Sequence, residues 1–178
     1  MMAKTLALGE EGPNFENLPG TDGKSYSLSS FSDKRVLVLV FMGNGCPTCK
    51  ATEERLFSIQ SDYDKLGVQV VAVNSNNAAI SPPDTLEEMR TRARESGYPF
   101  PYLKDDGATL ARSIGARTTP HAFILDKSRI LRYRGRVDNA RQTHLVTVHD
   151  VRLALEDLIL GRDVAVPDTD SFGCGIVW

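Results

Sequence analysis

The sequence predicts an α/β fold, a mixed central β-sheet flanked by helices on both faces. Three observations carry this. Residues 35–42 (RVLVLVFM) are a continuous β-branched and apolar run, the pattern of a central strand covered on both faces. Residues 68–73 (VQVVAV) repeat the pattern. Between them, Leu56, Ile59, Tyr63 and Leu66 recur at helical spacing within residues 50–66, and Gly67 supplies a stop. Parallel strands need a crossover connection, so strand, helix and strand read as one parallel unit.

The other elements follow in chain order. Asp22 and Gly23, between short segments around Phe15 and Tyr26, signal an N-terminal hairpin. Pro82, Pro83 and Asp84 open a helix over 85–96, and a shorter helix over 108–114 stops at Gly115. A short strand at 102–104 lies between them. Segments 122–125 and 129–134 flank Asp126, Lys127 and Ser128 as an antiparallel hairpin. Val151, Leu155 and Leu158 define a last amphipathic helix that ends at Gly161. The expected organisation is one domain over 1–178, with a hairpin extension at 1–33 and a tail at 162–178.

Composition narrows the function classes. The chain has 21 Lys and Arg against 23 Asp and Glu, a net charge of −2, with the basic residues scattered. No extended positive surface is expected, and neither nucleic acid nor membrane is an expected partner. Residues 1–12 lack the apolar run of a signal-peptide core, and no later stretch reaches the length of a membrane span. The expected location is cytoplasmic. Three cysteines are too few for a secreted disulfide scaffold. In a reducing compartment a close cysteine pair is more often catalytic or metal-binding than structural.

That pair is Cys46-Pro47-Thr48-Cys49, at the junction of the central strand and the first long helix. A thiol at a helix N-terminus faces unpaired backbone N–H groups and the positive end of the dipole, which stabilise its thiolate. Cys46 is therefore placed as the nucleophile. Stepping back along the apolar stripe from Leu56 reaches Thr52 and then Cys49, so Cys49 is the shielded, resolving thiol. Pro47 costs no hydrogen bond in a first helical turn. The alternatives are buried structural cysteines, half of a zinc site, or a non-catalytic interaction module that only holds a peptide. A four-ligand zinc site normally shows a second pair, and only Cys174 and three histidines remain, so redox chemistry is favoured and no metal or cofactor is implied.

The segment FMGNGCPTCK, followed much later by GARTTPHAFILD and a hydrophobic hairpin, resembles the thioredoxin-like superfamily. The segments GPNFENLPGTDGKSYSLSSF, VVAVNSN, YPFPYLKDD, YRGRVDN and FGCGIVW are similar to a narrower branch. It comprises the cytoplasmic redoxins related to alkyl hydroperoxide reductase and thiol-specific antioxidant proteins. The resemblance covers nearly the whole chain. It implies a thioredoxin-like fold and a thiol–disulfide oxidoreductase acting on a disulfide-containing protein or a small thiol or disulfide, recycled by a thiol reductase system. It also implies that Thr119-Pro120 is the cis-proline of the superfamily and that Thr119 and Pro120 contact substrate. His121 either tunes the thiolate or contacts substrate, or is a half-buried strand residue, and the last reading is favoured.

The sequence departs from these patterns in three ways. Thioredoxins carry a buried aspartate six residues before the first cysteine, where this chain has Val40. Glu53, four residues after Cys49 on the same helical face, is the replacement candidate for acid–base assistance, directly or through an ordered water, against the alternative of a solvated helix glutamate. Peroxiredoxins carry a hydroxyl residue three before their peroxide-attacking cysteine, where this chain has Gly43. Arg117 either places a positive charge near the thiolate or is a solvated loop residue. A thiol peroxidase with Cys46 peroxidatic and Cys49 or Cys174 resolving is the second expectation. Members of the branch often lack the second cysteine of the pair but keep the Gly-Cys that is Cys174 here. On a mobile tail Cys174 would fold back onto Cys46; otherwise it packs with Ile176 and Trp178. Asn44, Asn74 and Asn76, at two strand ends, either line the groove or satisfy loop backbone.

Overall fold

The computed structural model describes residues 5–178, so the first four residues of the 1–33 extension and of the leader reading lie outside the described residues. β1 (Leu18–Pro19) and β2 (Ser25–Tyr26) pair antiparallel across the turn that holds Asp22 and Gly23. Phe15 is not part of this hairpin; it is buried in the core.

β3 (Val36–Phe41) is buried at every position. α1 (Pro47–Tyr63) begins one turn earlier than the apolar stripe alone indicates, because Pro47 is pre-set for a first helical turn and Cys46 caps it. It passes into a single 3₁₀ turn and then into Gly67, whose φ of 81° suits glycine. β4 (Val68–Asn74), α2 (Leu86–Ser96), β5 (Tyr102–Lys104) and α3 (Thr109–Ile114) follow. The Thr85 hydroxyl caps α2 by accepting from the Glu88 N–H at 3.2 Å. The remaining elements are β6 (Thr118–Thr119), β7 (His121–Leu125), β8 (Leu131–Gly135), α4 (Asp150–Ile159) and β9 (Cys174–Gly175).

The main sheet has the order β5-β4-β3-β7-β8, parallel among β3, β4 and β5 and antiparallel where β7 meets β3 and β8. This is the mixed sheet of a thioredoxin-like fold. Alternation along β3 divides the core: Val38, Val40 and Met42 pack with Leu56, Met89 and Val151 from α1, α2 and α4. Leu37, Leu39 and Phe41 pack with Leu110 of α3 and with Phe15 and Phe31. Fully burying each such side chain contributes about 1.5–3 kcal/mol. Among the described residues no helix is long and apolar enough to cross a membrane.

Two further expectations change. β8 begins at Leu131, not 129, because Arg129 sits at φ 62° and closes the turn after Asp126. β6 and β9 were absent from the predicted element order; they pair antiparallel as a separate two-stranded sheet. Strands of two residues carry no hydrophobic period to detect.

Candidate active site

β3 delivers the chain through Gly43, Asn44 and Gly45 to Cys46, so the first thiol stands beyond the C-terminal edge of the parallel strands and at the start of α1. That edge is where open α/β sheets bind ligands. Cys46 is 5% exposed and Cys49 1%. The Cys46 sulfur accepts the Cys49 backbone N–H at 3.3 Å, and in its protonated form donates to the Thr119 carbonyl at 3.3 Å.

These contacts separate the two thiols. Hydrogen bonding from the Cys49 thiol lowers the Cys46 pKa most; burial opposes it, and Thr119, the Cys49 N–H and Cys174 add to the lowering, bringing it to about 4. Burial is the first cause that holds Cys49 well above the ordinary thiol range, followed by its hydrogen bond to Cys46 and the negative charge there. One sulfur is an anion at neutral pH and the other a donor that supports it.

The opposite wall is the Thr119–Pro120 segment, whose peptide bond is cis. Thr119 is 1% exposed, and its neighbour across the β6–β9 ladder is Cys174. The Thr119 hydroxyl donates to the Cys174 carbonyl at 3.4 Å. Cys174 packs against the same core cluster as Cys46 and Cys49, and its pKa is pushed up to about 11, first by burial and then by its hydrogen bond to Cys46. Residues 174–175 form a strand that seats Cys174 beside Cys46, and all three cysteines share one cluster. Ile176 does not pack with Cys174; it is buried in the cluster on the other face, and Trp178 stacks 4.5 Å beneath the Arg112 guanidinium.

Beneath the Gly43–Gly45 loop lies a buried polar network that sequence reasoning saw only in part. Asp84, 2% exposed, accepts from the Asn44 backbone N–H at 2.8 Å, the Asn74 amide at 2.8 Å and the Asn76 amide at 3.2 Å. The Tyr102 hydroxyl donates to Asn44 Oδ1 at 2.7 Å, and Lys104 Nζ donates to the Asn76 and Asp84 carbonyls at 2.6 and 2.8 Å. The three asparagines thus satisfy loop and strand-end groups. Asp84, read only as part of a helix opening, ties them together, and nothing in its local sequence signalled this.

The auxiliary candidates fall elsewhere. Glu53 is buried, but its carboxylate accepts from Arg92 Nε at 2.9 Å, Arg92 Nη2 at 2.7 Å and the Tyr98 hydroxyl at 2.9 Å. That engagement makes it a clamp between α1 and the α2 region, neither a solvated glutamate nor a hydrogen-bonded partner of Cys49. His121 Nδ1 accepts the Arg117 N–H at 3.2 Å, and its ring lies 4.5 Å from Phe123, on the face of β7 opposite the cysteine cluster. Burial, reinforced by Arg117 and Arg134, lowers its pKa to about 4. The Arg117 side chain is exposed. Among the described residues no group of three His, Cys, Asp or Glu side chains is arranged to hold a metal ion.

Known proteins share this frame. A crystal structure of a hypothetical protein from Sinorhizobium meliloti is 37% identical, covers 98% of this chain and 96% of its own, and superposes with a TM-score of 0.90. The thiol-disulfide oxidoreductase ResA of Bacillus thuringiensis is 25% identical over 68% of this chain. The chain spans 65% of the length of that relative. Peroxiredoxin Q of Triticum aestivum is 26% identical over 72% of this chain and 58% of its own length. The Redoxin family model matches residues 7–155, a span that holds Cys46, Cys49, Thr119 and Pro120, and the chain belongs to the Redoxin family.

Proposed function

We propose that the protein is a thiol–disulfide oxidoreductase in which Cys46 is the nucleophile and Cys49 the resolving thiol. The observation that carries this reading is the placement of Cys49 behind the Cys46 sulfur, buried and donating to it from the first turn of α1. The Cys46 thiolate attacks one sulfur of a substrate disulfide; that S–S bond breaks and the leaving thiolate takes up a proton. A mixed disulfide at Cys46 carries no charge, so the hydrogen bond and the negative charge that keep Cys49 protonated are both lost and its acidity rises. Cys49 then loses its proton and attacks Cys46, and the second substrate thiolate leaves. The substrate has gained two electrons, and Cys46 and Cys49 are bonded to each other.

Thr119 and Pro120 form the substrate-facing wall in this reading. The substrate is a disulfide-bearing protein or a small disulfide. A thiol reductase system of the cytoplasm returns two electrons to the pair. A low pKa alone does not set the rate, because thiolate nucleophilicity falls as pKa falls. Cys46→Ser is expected to abolish insulin disulfide reduction, and the double variant Cys49→Ser with Cys174→Ser, which leaves no second thiol, to accumulate a mixed disulfide with glutathione. Undiminished turnover by Cys46→Ser would overturn the reading.

The peroxidase reading draws on the relatives named peroxiredoxins. Against it, position 43 is glycine, and a Cβ there would lie 2.8 Å from the Asn76 amide nitrogen, so a peroxide-orienting hydroxyl residue would have to push that amide away from Asp84. Peroxide consumption by Cys46 is expected to match that of a free thiolate of similar pKa. A rate several orders faster would restore the peroxidase reading.

A further inference from the structure

The tail from residue 169 onward is bound as an added chain would be. After Thr169, whose backbone N–H and side chain are tied to the end of β8, the Ser171 hydroxyl accepts a hydrogen bond from the Thr118 hydroxyl at 2.8 Å. Residues 174–175 then pair with Thr118 and Thr119, and the Ile176 N–H donates to the Arg117 carbonyl at 3.0 Å. On the other side the Val177 N–H donates to Asn76 Oδ1 at 2.8 Å, and the Val177 carbonyl accepts the Asn77 N–H at 2.7 Å. The strand lies across the rim between the two loops that frame Cys46.

Its seating depends on one residue. Gly173 has φ 135°, and a Cβ there would overlap the Thr119 carbonyl oxygen. Glycine before the cysteine lets the strand approach closely enough for Cys174 to face Cys46. The outward backbone groups of Thr118 and Thr119 are then occupied and unavailable to another chain.

We propose that residues 173–178 are a resident internal substrate: Cys174 exchanges with the Cys46–Cys49 disulfide, and the strand must leave before an external disulfide can pair with Thr118 and Thr119. The exchange balances without another reactant. Cys174 loses its proton, its thiolate attacks Cys46, the Cys46–Cys49 bond breaks, a Cys46–Cys174 bond forms, and Cys49 takes up the proton. No net oxidation occurs. This inference rests on the dithiol reading, and deepens it by assigning the tail a place in the cycle.

Three variants of the full chain separate the parts. Cys49→Ser, incubated with glutathione disulfide and mapped by mass spectrometry, is expected to release bound glutathione and accumulate a Cys46–Cys174 bond. Adding Gly173→Ala to Cys49→Ser should leave glutathione on Cys46 instead. In insulin reduction, Gly173→Ala alone is expected to lower KM by about tenfold with kcat preserved, because the fraction of molecules with an open edge rises. Cys174→Ser keeps the strand seated and should retain the wild-type KM. Circular dichroism confirms that each variant is folded.

The proposal is overturned if Cys49→Ser stays a glutathione adduct, or if Gly173→Ala and Cys174→Ser share the wild-type KM. Failure of the underlying reading looks different: wild type and Cys46→Ser would then reduce insulin equally, or neither would reduce it at all.

Discussion

Cys49 reaches Cys46 from the first turn of a 17-residue helix, whereas Cys174 reaches the same sulfur from a strand of two residues. Behind the helix lies a buried network centred on Asp84, which fixes the loop leading into Cys46. Behind the strand lie a short ladder and a glycine whose backbone conformation few other residues adopt. Local opening free energies follow buried contacts and backbone hydrogen bonds, so the helix side opens only with the whole domain and the strand side can open alone. In the proposed cycle a single nucleophile thus faces one permanent partner and one conditional partner.

The widest separation is expected from Asp84→Ala. It leaves the Asn44 N–H and two buried amides without their acceptor, and a buried unsatisfied donor costs about 1–3 kcal/mol. Urea unfolding should show a loss of about 3 kcal/mol; a loss below about 0.5 kcal/mol would remove the network as the reason the helix side is fixed.

Alkylation tests the contrast next. Because the Cys46 pKa is lowered to about 4, its thiolate is complete above pH 6, and its iodoacetamide rate should be flat there and fall as pH drops through about 4. Cys174, raised to about 11, should react faster as pH rises, about tenfold per unit below that value. Lower intrinsic nucleophilicity of the acidic thiolate offsets most of its abundance, so Cys46 should lead by only about tenfold at pH 7, with the order reversing near pH 8. Parallel profiles for the two thiols would erase the distinction.

A smaller effect is expected from Glu53→Gln. Arg92 is partly exposed, so solvent screening limits the clamp to about 1 kcal/mol in thermal unfolding. The pH profile for resolution of the mixed disulfide should not move. A shift in that profile would reinstate Glu53 as the proton acceptor for Cys49. Smallest of all, Gly173→Ala should change global stability by less than about 0.5 kcal/mol, since the added methyl disturbs only the strand that opens locally. A larger loss would place the tail in the cooperative core.

Much of the fold was legible because its main elements have strong periods. The apolar runs that became β3 and β4 and the stripe through Leu56, Ile59 and Tyr63 each have one good burial solution. Cys46 and Cys49 were legible for the same reason: the strand-to-helix junction and the helical stripe order them without any tertiary contact. Helical spacing puts Glu53 on the Cys49 face but cannot show that Arg92 and Tyr98 come from elsewhere to bind it. Asp84 looked like an ordinary residue of a helix opening, and its partners lie 8, 10 and 40 positions away.

By itself the sequence determined the mixed α/β sheet, the place of the cysteine pair at the head of α1, and which thiol caps the helix and which is shielded in its first turn. All are set by local periodicity, proline geometry and the fields at a helix terminus. Only the tertiary structure decided that Cys174 joins them. That outcome depends on Gly173 fitting against a carbonyl 54 positions earlier, on Ile176 finding a core pocket, and on residues 76–77 holding the tail from its far side. Contacts between short segments so far apart leave no local pattern, because each gains its stability from surfaces that exist only once the domain has closed.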